Sequence, residues 1–245
     1  VKIDGATANL LVGVALLLGT PFFIVFGWLS DRVGRKPIIL AGCLLAALTY
    51  FPLFKVLTEA GNPQLARALA SAPVTLVADP RECSFQFNPT GTAKFTSSCD
   101  VAKQLLANAS VNYDSVAGSG TAVIHIGERR LASFDVAKLD PAEAGAREAQ
   151  FRSEVGQALR EAGYPAAADP AGINKPLLVA VLTLLVIYVT MVYGPIAAAL
   201  VELFPTRIRY TAMSFPYHVG NGWFGGLLHT TAFAIVAQTG NIYSG

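Results

Sequence analysis

Four charged side chains lie within six positions of one short stretch, GWLSDRVGRKP at residues 27–37: Asp31, Arg32, Arg35 and Lys36. A carboxylate that faces guanidinium groups forms charge-assisted and often bidentate hydrogen bonds. Gly27 and Gly34 lie within the same stretch, and glycine allows close backbone approach and positive φ angles. We therefore predict a salt-bridged cluster at a tight turn, with bonds that form in one conformation and open in another.

A second charged stretch, ELFPTRIR at residues 202–209, invites the same interpretation. Glu202 follows a long apolar run, so it is expected at the C-terminal end of a helix, where the helix dipole disfavours an anion. A cationic partner is therefore predicted, either Arg207 or an arginine of the first charged turn. Arg207 and Arg209 either contribute to the same cluster or only anchor the chain at a membrane surface.

A few polar side chains lie inside the apolar runs, where ionisable groups are the usual functional candidates. None of them is acidic. His218 lies beside Pro216 and a run of glycines, so a protonatable ring is combined with a weakened helix. We predict His218, Tyr193 and Asn221 as contacts along a substrate or proton pathway; the alternative for His218 is a hydrogen bond within a helix bundle.

The elements that must position these residues are indicated by composition. The chain has 245 residues, of which 53% are hydrophobic and 14% charged, and its net charge is only +2. This balance favours a membrane protein over a nucleic-acid-binding one. Four stretches without charge are long enough to be membrane-spanning helices, at residues 5–30, 37–54, 176–201 and 210–245.

Most of the charge lies between the second and third apolar stretches, which predicts an aqueous domain. Short alternating runs there indicate four or five strands, including CSFQFNP at residues 83–89. Asp140 as an N-cap and Gly163 as a stop predict an amphipathic helix between them. The predicted division is two spans in residues 1–57, an α+β insertion in residues 58–174 and two spans in residues 175–245.

Short loops rich in Lys and Arg stay on the cytoplasmic side of a membrane, so both charged stretches are predicted there. Counting the predicted membrane crossings from there places residues 58–174 on the extracytoplasmic side. Cys83 and Cys99 lie in that outside segment, where an oxidising compartment would allow a disulfide. Two separate buried thiols are the alternative.

The motif GWLSDRVGRK at residues 27–36 resembles the signature turn of the major facilitator superfamily of secondary transporters. A second stretch, residues 193–226, is similar to the connection between the tenth and eleventh spans in the metabolite:proton symporter branch. The resemblance implies a partial major facilitator fold, spans eight to eleven of a C-terminal half, with the remaining spans as partners. The insertion departs from the usual pattern of that superfamily.

The resemblance implies a proton symporter in a bacterial inner membrane that carries a small polar metabolite, such as an organic acid or a betaine-like compound, by alternating access. It also implies that the first charged stretch holds the cytoplasmic face closed in the outward-open state; the alternative is a topology anchor without a role in gating. A membrane-anchored receptor with a ligand-binding outer domain and a sugar-porter-like carrier are the alternatives. No motif of enzymatic, metal or cofactor chemistry is recognisable in the sequence, so we predict a carrier rather than an enzyme.

Overall fold

The computed structural model describes residues 2–244, which fold as two compact units. The helical unit comprises Val1–Pro63 and Ala167–Gly225, and the mixed unit comprises Gln64–Ala166 and Gly226–Gly245. The elements in chain order are α1 (Gly5–Gly19), α2 (Pro21–Val33), α3 (Arg35–Gly61), α4 (Pro63–Ser71), β1 (Val74–Ala78), α5 (Ser98–Asn108), β2 (Tyr113–Ala117), β3 (Val123–Ile126), β4 (Arg129–Ala132), α6 (Pro141–Glu161), α7 (Lys175–Leu203), α8 (Arg209–Val219), a π-helical turn (Gly220–Gly225) and α9 (Gly226–Thr239).

Three apolar helices in the described residues are long enough to cross a membrane: Gly5–Val33, Arg35–Gly61 and Lys175–Leu203. The first of them contains both α1 and α2, which meet at Pro21. Proline has no backbone N–H and cannot complete the helical hydrogen-bond ladder. Thr20 ends α1, and its hydroxyl and its backbone N–H both donate to the carbonyl of Leu16.

The three long helices pack together, with α7 contacting α1, α2 and α3. Leu57 near the end of α3 meets Leu178 near the start of α7, whereas Ile38 at the other end of α3 meets Met191. Helices α3 and α7 are therefore antiparallel. Because the Cβ of an alanine at position 42 would lie 2.9 Å from the Cβ of Met191, only glycine permits this approach.

The fourth predicted span is not one long apolar helix. The chain forms α8, then the π-helical turn, then α9, and no described helix of this segment is among the three long apolar ones. Pro216 lacks an N–H and the following glycines lower helix stability, which explains the interruption. The glycines of this turn, Gly220, Gly222 and Gly225, also face open space rather than a packed neighbour.

The mixed unit is built on one four-stranded sheet in the order β2-β1-β3-β4. Strand β1 pairs in parallel with β2 and antiparallel with β3, and β3 pairs antiparallel with β4. The side of the sheet that bears Leu76 and Ile124 is buried under a core that includes Leu106 of α5 and Phe151 of α6. A small α+β fold with its own core is therefore present in the insertion, as predicted.

Helix α6 begins and ends where its local signals place it. The Asp140 carboxylate accepts from the backbone N–H of Ala142, and Gly163 beyond the last turn has φ of 88°. Tyr164 follows, donates its hydroxyl to the carbonyl of Ala72 at 2.8 Å, and is buried, which raises its pKa to about 12.

The strand predicted at residues 83–89 does not form, and this described segment is irregular. A disulfide joins Cys83 to Cys99 of α5, with the Cα atoms 5.2 Å apart. The backbone N–H of Ser84 donates to the Asp100 carboxylate at 2.7 Å, and the Gln86 amide donates to the carbonyl of Asp100. These bonds attach the segment to α5 instead of to a sheet edge, which local alternation of residue types cannot reveal.

The helical unit ends at Pro63, six residues after the predicted boundary at 57/58, and resumes at Ala167, eight residues before the predicted boundary at 174/175. The last segment differs, since residues from Gly226 onward belong to the mixed unit. There the backbone N–H of Tyr113 donates to the carbonyl of Gly240 at 2.9 Å, beside β2. Val1 and Gly245, the ends of the predicted division, lie outside the described residues.

Candidate functional site

The predicted turn lies between α2 and α3 and is formed at Gly34. This glycine has φ of 95°, a conformation that residues with a Cβ rarely adopt, and its N–H closes α2 on the carbonyl of Ser30. Helix α3 begins at the next residue. Asp31 in the last turn of α2 and Arg35 at the start of α3 are thereby brought to one end of the helical unit.

Arg35 is the centre of a charged cluster that we define as Asp31, Arg35 and Glu202. Its guanidinium forms an ion pair with Asp31 and donates through Nε and Nη2 to Oε1 of Glu202, at 3.2 and 3.0 Å. It also donates to the hydroxyl of Ser30 at 3.0 Å. One side chain therefore connects the end of α2 to the end of α7.

The side chains of this cluster are unequally exposed to solvent. The Arg35 side chain is 21% exposed, whereas those of Asp31 and Glu202 are 63% and 58% exposed. Ion pairs with such exposure contribute little to stability, because water screens the charges and holding two long side chains in one geometry costs entropy. The cluster can therefore bias the relative stability of two conformations without fixing either one.

Glu202 has the partner that its place at the end of α7 requires. Of the two candidates from the sequence, the structure selects an arginine of the first turn, Arg35, and not Arg207. Arg209 instead donates its Nε to the carbonyl of Phe204 at 3.1 Å, so it closes the loop after α7.

The other predicted members of the turn do not reach a carboxylate in the described part of the chain. The Arg32 guanidinium lies 4.0 Å from the ring centroid of Trp28, a cation–π contact on α2. Lys36 and Arg207 form no ion pair within residues 2–244. Gly27 is not required for close approach, since a Cβ at this position would meet nothing within 4 Å; the small residue at this contact is Gly194, whose Cβ would lie 3.6 Å from the Gly27 nitrogen.

The predicted pathway residues are brought together only in part. The Tyr193 hydroxyl donates to Oδ1 of Asn221 at 3.3 Å, which connects α7 to the π-helical turn. His218 is exposed, and its ring contacts that of Tyr217 with 5.8 Å between centroids. In the described part of the chain His218 thus lies in the same segment as Asn221 without bonding to it.

Ser30 is a member of the site that the sequence did not single out. It is 1% exposed, donates to the carbonyl of Gly27 at 2.7 Å and accepts from Arg35. The sequence feature that could have identified Ser30 is a hydroxyl side chain one residue before Asp31, at the end of an apolar run. Its effect is to hold the guanidinium in the orientation that reaches both carboxylates.

The chemistry that this site can perform is reversible hydrogen bonding. No group of three or more potential metal ligands occurs within residues 2–244. Comparisons of the chain with family models, with curated proteins and with solved structures gave no match. The major facilitator resemblance therefore rests on the two motifs and remains a prediction.

Proposed function

We propose that this chain is part of a secondary active transporter that moves a small polar metabolite by proton symport and alternating access. The observation that carries the proposal is the contact of Arg35 with both Asp31 and Glu202. It joins two helices from parts of the chain 167 residues apart, at one end of a bundle of apolar helices. A bond of this kind, weak and exposed, is what a gate must have if its helices part in every cycle.

Charge distribution supports an orientation for this proposal. Arg32, Arg35 and Lys36 lie in a short loop, which favours the cytoplasmic side. The chain leaves and re-enters the helical unit at its other end, where the N–H of Asn174 donates to the carbonyl of Ala60. In the proposed topology the charged cluster therefore lies on the cytoplasmic side of a bacterial inner membrane, and the mixed unit lies on the extracytoplasmic side.

The pathway in this proposal runs past Tyr193, Asn221 and His218. Half-exposed aromatic and amide groups beside a π-helical turn offer hydrogen bonds to a small polar solute in a region where the helix is interrupted. Organic acids and betaine-like compounds are the proposed substrates. A sugar-porter-like carrier would use the same gate, so sugars belong in the substrate panel.

The test is uptake of labelled organic acids, betaines and sugars into cells that express the full-length gene, with and without a proton uncoupler. The proposal predicts uptake of an acid or betaine that the uncoupler abolishes. Uptake that is indifferent to the uncoupler contradicts proton coupling, and the absence of uptake across the panel contradicts transport of these classes.

A receptor is the second candidate, and the observation in its favour is the independent core of the mixed unit. A carrier does not need a domain of this size. Deletion of residues 64–166 distinguishes the two functions, because a carrier should retain uptake and a receptor should lose its response to a ligand.

A further inference from the structure

A cavity of about 440 Å³ lies within the mixed unit, between α5 and α6. This volume is in the range of small-molecule binding sites. Phe151, which is 1% exposed, forms part of its apolar floor, and Phe95 of the preceding loop contributes a second ring.

The polar residues of this cavity are arranged in two pairs. Gln104 and Asn108 lie one turn apart on α5, and Glu148 and Arg152 lie one turn apart on α6. Residues four apart on a helix have Cβ atoms roughly 6 Å from each other. An anionic and a cationic side chain are therefore presented next to each other above an apolar floor.

None of these four side chains is satisfied by another group in the described part of the chain. Within residues 2–244, Glu148 and Arg152 form no ion pair with each other or with another group, although other pairs on α6 do, such as Arg147 with Glu154. The four are exposed at the mouth of the cavity. Each therefore keeps its hydrogen-bonding capacity for a ligand.

The charges decide the class of ligand. A simple anion would pair with Arg152 but face the Glu148 carboxylate, and a simple cation would pair with Glu148 but face Arg152. A molecule with adjacent carboxylate and ammonium groups satisfies both, by a forked bond to the guanidinium and a charge-assisted bond to the carboxylate. An apolar substituent on that molecule would cover Phe95 and Phe151.

We propose that this cavity binds a small zwitterion, an α-amino acid with an apolar side chain, held by Arg152 and Glu148 and oriented by the amides of Gln104 and Asn108. The site lies entirely in the mixed unit. It is independent of the charged cluster, so it does not rest on the proposed transport.

The test is equilibrium binding of tritiated L-leucine to the purified full chain in detergent, with unlabelled competitors. Leucine should compete, whereas N-acetyl-leucine, which lacks the ammonium, and leucinamide, which lacks the carboxylate, should compete roughly tenfold less well or worse. This series uses the unaltered protein and needs no variant. If N-acetyl-leucine competes as well as leucine, or if leucine does not bind, the proposal is overturned.

Variants then locate the site. Glu148→Gln and Arg152→Gln should each weaken leucine binding by roughly tenfold or more, because one charge of the ligand loses its partner. Glu143→Gln and Arg160→Gln are the matched controls, since they remove the same charges from the same helix outside the cavity and should change binding by less than about twofold. Binding that is unaffected by the first two variants, or competition by glycine betaine that equals that of leucine, contradicts the assignment.

Discussion

Arg35 has two carboxylate partners, and they belong to different helices. Removing the guanidinium leaves Asp31 and Glu202 close together without a cation between them, which should push the end of α2 away from the end of α7. The neighbouring Lys36 has no carboxylate partner among the described residues. The difference between these two cations makes the proposed gate testable at single residues.

Arg35→Gln should lower uptake by roughly threefold, because the loss of both carboxylate contacts changes the populations of the two proposed conformations. Glu202→Gln should have a similar effect. The double variant should be no worse than either single one, since both remove the same contact. Initial uptake rates at equal expression measure this, and Lys36→Gln, with less than about a twofold effect, is the control.

Asp135 is a residue-scale stabiliser of the mixed unit. The Asp135 carboxylate accepts hydrogen bonds from the Lys138 ammonium and from the Ser98 backbone N–H. These bonds, the one from Lys138 having the larger effect, hold the pKa of this carboxyl below its ordinary value. A lowered folded-state pKa means stability that is fully present above the unfolded pKa of roughly 4 and is lost as the pH falls through the folded value.

Asp135→Asn should therefore reduce thermal stability at pH 7, and the difference from the unaltered chain should shrink at pH 3. Circular dichroism melts of the detergent-solubilised chain at both pH values measure the difference. Asp114→Asn, an exposed acid on β2 without an ion pair in residues 2–244, is the control. A difference that grows on acidification would contradict the sign of the effect.

At the scale of elements, the contact of α3 with α7 depends on small residues. Gly42→Ala would place a Cβ 2.9 Å from the Cβ of Met191 and 3.3 Å from the carbonyl oxygen of Tyr188. Overpacking of this kind costs about 1 to 3 kcal/mol.

Gly42→Ala should therefore lower the midpoint of thermal unfolding in detergent, whereas Gly13→Ala should not. Position 13 on α1 is the matched control, because a Cβ there meets nothing within 4 Å. Equal midpoints for the two variants would show that α3 and α7 do not pack in this register.

The segment between Cys83 and Cys99 is an element held by covalent closure. By loop entropy, a disulfide that closes a loop of this length contributes about 3 kcal/mol. The segment also carries Phe95, one of the rings of the proposed amino-acid site.

Replacing both cysteines by serine should make residues 83–97 sensitive to limited proteolysis and weaken leucine binding. The free Cys43, replaced alone, is the control and should change neither. Proteolysis fragments identified by mass spectrometry report the first effect. An unchanged fragment pattern would show that the hydrogen bonds to Asp100 hold the segment without the disulfide.

At the scale of the whole molecule, the sequence predicts features that depend on neighbouring residues better than it predicts contacts between distant ones. The start of α6 at Asp140 and the turn at Gly34 follow from residue types that act on their own backbone. The partner of Glu202 lies 167 residues away, so the sequence left two candidates open. The cavity between α5 and α6 was not foreseen, because the core around Phe151 brings together two helices that are far apart in the sequence.

The three long apolar helices were predictable from uncharged length, and a weakened helix at Pro216 was predicted too. The division of the fourth segment between the two units was not. Residues 210–245 lack charge as completely as the other stretches, yet Pro216 and the glycines after it divide them between the two units. Absence of charge predicts that a segment tolerates lipid. It does not predict that one helix continues through the segment.

The most direct test of the proposed gate is the distance between α3 and α7 at the charged end, measured by electron spin resonance in lipid discs. Nitroxide labels at the exposed positions Leu40 and Leu203, in a Cys43→Ser background, report it. Alternating access predicts a short and a long distance whose populations change with pH, with Arg35→Gln shifting the protein toward the long one. A single distance, unaltered by pH and by Arg35→Gln, would contradict it.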